Sequence, residues 1–71
     1  MLKLPFKGAK PKDVKRELEY FEARLEGVHQ YMNTAQFNML GEDLRATVED
    51  EFAALKMLVA THRERLKLLK R

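Results

Sequence analysis

The sequence predicts an all-α protein, an antiparallel two-helix hairpin with helices over about 12–40 and 43–70, preceded by an extended basic N-terminal arm. Two such hairpins are expected to pair as an antiparallel four-helix bundle. Three observations point there. Val14, Leu18, Phe21, Leu25, Val28, Met32, Ala35 and Met39 recur at alternating spacings of four and three, the period of a helix that buries one stripe. Leu44, Val48, Phe52, Leu55, Val59, His62, Leu66 and Leu69 repeat the pattern. The step from Met39 to Leu44 is five residues, so the two stripes are out of phase.

Residues 1–11 form the arm. Pro5, Gly8 and Pro11 hold it out of a regular helix, and Pro11 suits the first helical position, where the missing N–H costs nothing. Leu2, Leu4 and Phe6 alternate with Lys3 and Lys7, a pattern expected to dock against the end of the bundle. The first stripe runs on through Gly27, tolerated inside a helix at roughly 1 kcal/mol relative to Ala. Its continuation would be Glu42, Ala46, Glu49, Ala53 and Lys56, which is no core, so the chain must turn. The turn is expected at 40–42, with Gly41 as the residue that ends the first helix and Glu42-Asp43 as acids suited to the N-terminus of the second. A rival turn lies near Asn33, which with Gln36 resembles a capping box. In that arrangement Phe37 and Leu40 join the second stripe, and the second helix runs from about 34 to 70. Folding at Gly41 sets Phe21 opposite His62 and Leu25 opposite Val59.

Seventy-one residues allow one domain, 1–71, and a marginal one. Ordering each residue costs about 1.5 kcal/mol, and two helices touching along one seam bury little apolar surface against that. With no cysteine there is no disulfide or thiolate–zinc site to help. A partner is therefore expected, either a second copy of the chain or another helical protein. The candidate interface is an apolar belt. From Phe52 to Thr61 only Lys56 is charged, and the seam uses only the Phe52, Leu55, Val59 face. Ala53, Met57, Leu58 and Ala60 are left needing cover, and Tyr20, Ala23, Gly27 and Tyr31 lie at the same height beside the first stripe. On this reading Met57→Lys disrupts assembly and Lys67→Glu does not.

Charge is sharply divided. Residues 1–16 carry Lys3, Lys7, Lys10, Lys12, Lys15 and Arg16 against Asp13, a net of +5. Residues 62–71 carry Arg63, Arg65, Lys67, Lys70 and Arg71 against Glu64, a net of +4. Residues 17–61 carry three basic and nine acidic side chains, a net of −6. A hairpin gathers both basic segments at one end. Cations suit the C-terminus of the second helix but oppose the N-terminus of the first, so solubility or contact with an anionic partner such as nucleic acid is the reason left for them.

Other chemistry is thinly represented. The absence of Ser and Cys removes the commonest nucleophiles and argues against an enzyme. Glu26 and His29 have the Glu-x-x-His spacing of helical di-iron sites, but they lie beside the stripe and no matching inward glutamate stands on the second helix. No metal and no cofactor is expected. His62, on the stripe, is expected to be a core histidine hydrogen-bonded to Tyr20 or to a backbone carbonyl. No apolar run reaches the roughly 18 residues of a membrane span, and no continuous apolar stretch marks a secretory signal. The expectation is a cytoplasmic, non-enzymatic protein-interaction module, such as a small adaptor, chaperone or inhibitor. The alternative is a small nucleic-acid-binding regulator that uses its basic ends.

Overall fold

In the computed structural model, which describes residues 10–70, the chain is almost entirely helical and contains no strand among those residues. Three helices follow in order: α1 over Pro11–Met32, α2 over Ala35–Asn38 and α3 over Glu42–Leu69. The long pair α1 and α3 pack antiparallel along most of their length. The arm over 1–9 lies outside the described residues.

α1 opens on Pro11 with Asp13 in its first turn, and no side chain caps it at Lys10. α3 begins within one residue of its expected start. Gly41 is its N-cap, and the Gly41 carbonyl accepts the Arg45 N–H at 3.0 Å. The role expected for Gly41 is thereby corrected: with φ at −64° it does not end a helix in the left-handed region but starts one. Glu42 and Asp43 do occupy the first turn of α3, where acids meet the positive end of the helix dipole.

The bounds expected for the first helix, 12–40, are corrected too. α1 stops at Met32, although the apolar stripe continues to Met39. Asn33 and Thr34 break it by offering the backbone other partners. The Asn33 side-chain amide donates to the His29 carbonyl at 3.1 Å, and the Thr34 hydroxyl donates to the Tyr31 carbonyl at 2.6 Å. The Thr34 oxygen then accepts the Phe37 N–H at 3.3 Å and so caps α2. The rival reading found this break, yet the cap is Thr34, not Asn33, and the chain breaks a second time before α3. Phe37 supplies the tertiary reason. In a continuous helix it would stand nearly opposite the stripe, whereas here it is buried and meets Tyr31 edge-on at 6.0 Å between centroids. Met39 and Leu44, the last pair of the expected seam, are 83% and 58% exposed. Removing the cap with Thr34→Ala should cost about 1 kcal/mol, read as a lowered urea midpoint.

The core is thin. Val14, Leu18 and Val28 of α1 and Leu55, Val59 and His62 of α3 are buried, and the flanking Phe21, Leu25, Val48, Phe52 and Leu66 are half-buried. Phe21 meets His62 edge-on at 5.1 Å, as the mirrored stripes require. His62 behaves as a core residue. Its Nδ1 lies 2.9 Å from the Leu58 carbonyl, a separation that calls for Nδ1–H as donor, and its Nε2 faces Glu17 at 3.4 Å. Tyr20 takes no part in this and instead stands edge-on to Phe21 at 5.5 Å.

Candidate interaction surface

On a helix neighbouring residues are about 100° apart, so a residue just before a seam position looks out to one side of the hairpin. Tyr20 precedes Phe21 and Gly27 precedes Val28, and Ala23 and Tyr31 stand one turn from Gly27 on either side. On α3 Glu51 precedes Phe52 and Leu58 precedes Val59, with Ala54 between them on the same strip. Because the helices are antiparallel, both strips look out on the same side. They meet at an open groove of about 480 Å³ that brings Ala23, Gly27, Val28 and Tyr31 against Val48 and Glu51.

One ion pair crosses that groove. Arg24 donates through Nε and Nη2 to one Glu51 oxygen, at 3.0 and 2.7 Å. Glu51, by this hydrogen bond first and its charge second, holds the guanidinium proton even more firmly than usual. Both side chains are exposed, so the pair orients the groove walls more than it stabilises the hairpin. Around it the surface is apolar or small. Tyr20 is 67% exposed and Leu58 is 37% exposed. Ala23, Gly27 and Ala54 are exposed, and a Cβ added at Gly27 would meet nothing within 4 Å.

The eight residues expected to form one belt fall on two surfaces. Tyr20, Ala23, Gly27, Tyr31 and Leu58 share the lateral face just described. Met57 lies two residues from each of the buried Leu55 and Val59, which turns it to the outer side of α3, and it is 72% exposed. Ala53 and Ala60, one turn before and after, go with it. Ala60 lines a second, shallower hollow formed by α3 alone with Thr61, Glu64, Arg65 and Leu68. Arg24, Val48, Glu51 and Ala54 belong to the lateral face without having been expected there. Their spacing on each helix was visible, but which flank of α1 meets which flank of α3 was not.

The antiparallel packing gathers eight of the described basic residues at one end. Lys10, Lys12, Lys15 and Arg16 are exposed at the start of α1, and Arg63, Lys67 and Lys70 are exposed, with Arg65 half-buried, at the end of α3. Arg63 is tied to Glu22 at 2.8 Å. Lys3, Lys7 and Arg71 lie outside the described residues. Lys56, Arg63, Lys67 and Lys70 follow one side of α3 at spacings of seven, four and three. That side also holds Phe52, stacked on His29 at 5.7 Å and capped by the Lys56 ammonium at 5.0 Å. Glu26 meanwhile accepts from Gln30 at 3.0 Å. The Glu26–His29 pair is thus committed elsewhere, and no group of three His, Asp or Glu side chains that could hold a metal occurs among the described residues.

No protein-family model matches the chain, and no curated protein or solved structure matches it significantly. No helix among the described residues is long and apolar enough to cross a membrane.

Proposed function

We propose that the chain is a non-enzymatic interaction module that binds protein through its lateral face. The observation that carries this is the pairing of a large exposed aromatic, Tyr20, with small residues, Ala23, Gly27 and Ala54, beside an open groove spanning both long helices. Tyrosine gives a rigid contact area with a polar tip, and small residues let another backbone approach. Nothing inside the hairpin calls for glycine at position 27, so the roughly 1 kcal/mol it costs relative to Ala finds its reason outside the hairpin.

A second reading rests on the Lys56, Arg63, Lys67, Lys70 line, which suits a polyanion such as nucleic acid. Two measurements separate them. A photoreactive phenylalanine at position 58 should form protein adducts that disappear when Tyr20→Asp is introduced, while the same probe at position 67 should form few. Affinity for a short duplex should be weak. Adducts formed equally at 58 and 67, together with duplex binding that falls steeply with salt and is lost in Lys67→Glu, would replace the first reading with the second.

A further inference from the structure

We infer that the lateral face binds a second copy of this chain, two hairpins packing antiparallel about a two-fold axis that passes beside Gly27 and Ala54. This rests on the reading of the lateral face as a protein-binding surface and names its partner. Size permits it. A 28-residue helix at about 1.5 Å per residue is about 40 Å long, and two helices side by side are about 20 Å wide. Such a face offers on the order of 800 Å², the usual contribution of each partner to a stable interface.

Charge chooses the direction. Residues 10–16 carry four cationic side chains against Asp13, and residues 63–70 carry four against Glu64, all at one end. Residues 42–51, at the other end, carry five acids against Arg45. Parallel pairing would bring two basic ends together, whereas antiparallel pairing sets each basic end beside the partner's acids.

The register follows from symmetry. When two hairpins meet face to face and antiparallel, α1 lies over the partner's α1 and α3 over the partner's α3. Residues equally spaced about the axis then meet. Gly27 lies at mid-height, between the Phe21–His62 and His29–Phe52 contacts, which puts Ala54 beside it. Four residues before Gly27 is Ala23 and four after is Tyr31, so the small residue meets the partner's Tyr31 and two α1 backbones approach closely at the glycine. Eleven residues before Ala54 is Asp43 and eleven after is Arg65, so opposite charges meet at both ends of the α3 pair. The charges at the two ends are complementary in this orientation and repel in the parallel one.

The test uses the purified full chain. Sedimentation equilibrium should give a dimer. Gly27→Gln, whose Cβ meets no neighbour within the hairpin, should keep its helical signal and weaken dimerisation at least tenfold. Asp43→Arg and Arg65→Asp should each weaken it by about tenfold, two surface pairs being reversed per dimer, and the two together should restore it. Gly41→Cys carries a spin label without strain, since Gly41 has an ordinary φ and open space around it, and its label–label distance should be roughly 40 Å. A label distance below about 20 Å, failure of the double reversal to rescue, or an unchanged Gly27→Gln dimer would overturn the arrangement. A chain that stays monomeric at millimolar concentration would overturn self-pairing. In that case position-58 adducts to a protein of different mass would leave the interaction reading standing, and no adducts at all would remove both.

Discussion

Val59→Asp should abolish the hairpin, with loss of most of the helical circular dichroism at room temperature. Val59 is 4% exposed in the middle of the seam, and the cations one turn away on α3, Lys56 and Arg63, are already held by Phe52 and Glu22. An unpaired buried charge sits in the tail of mutational effects, above about 4 kcal/mol. A single core in a chain of this length supplies only about 3–5 kcal/mol, so one substitution consumes the whole margin. Met57→Asp, the same chemistry two residues away on the outer side of α3, should leave the helical signal intact. Because Met57 lies off the lateral face, that variant should also dimerise like the parent chain. Comparable losses of helix in both variants would mean that the rotation of α3 about its axis is wrong.

Phe37→Ala should cost about 3 kcal/mol, within the range for buried aromatic truncation, although Phe37 lies off the apolar stripe. Met39→Ala, on the stripe, should change stability by no more than about 0.5 kcal/mol. The contrast follows from burial: Phe37 is 7% exposed against Tyr31, and Met39 is 83% exposed. The first variant should also lose amide protection selectively over residues 35–40, because Phe37 is the buried residue of α2. Urea unfolding and hydrogen exchange read the two effects separately. If Met39→Ala were the costlier change, the first helix would have to run on to the expected turn at 40–42.

These contrasts mark what could be read from the residues and what could not. The two stripes determined that the chain is helical, where α3 begins and ends to within one residue, that Phe21 and His62 face each other, and that His62 is a core residue. All of these follow from period and phase, which survive in a sequence because a helix converts spacing directly into angle. The division of charge between the ends was equally legible, since antiparallel helices carry position along the chain into height along the rod.

The tertiary structure alone decided two things. The end of α1 depended on a competition between continuing the stripe and turning Phe37 inward. The capping bonds of Asn33 and Thr34 are each worth about 1 kcal/mol, too little to locate a break until the buried and exposed side chains are known. Likewise, spacing put Gly27, Leu58 and Met57 beside their stripes but gave no relation between the two helices. Only packing fixed the rotation of each helix against the other. It set Val48 and Glu51 against Ala23, Gly27 and Tyr31 across one groove, and left Met57 exposed on the outer side of α3. The angle of a residue on its own helix is a local property, whereas the face that two helices make together is decided by the side chains that interlock between them.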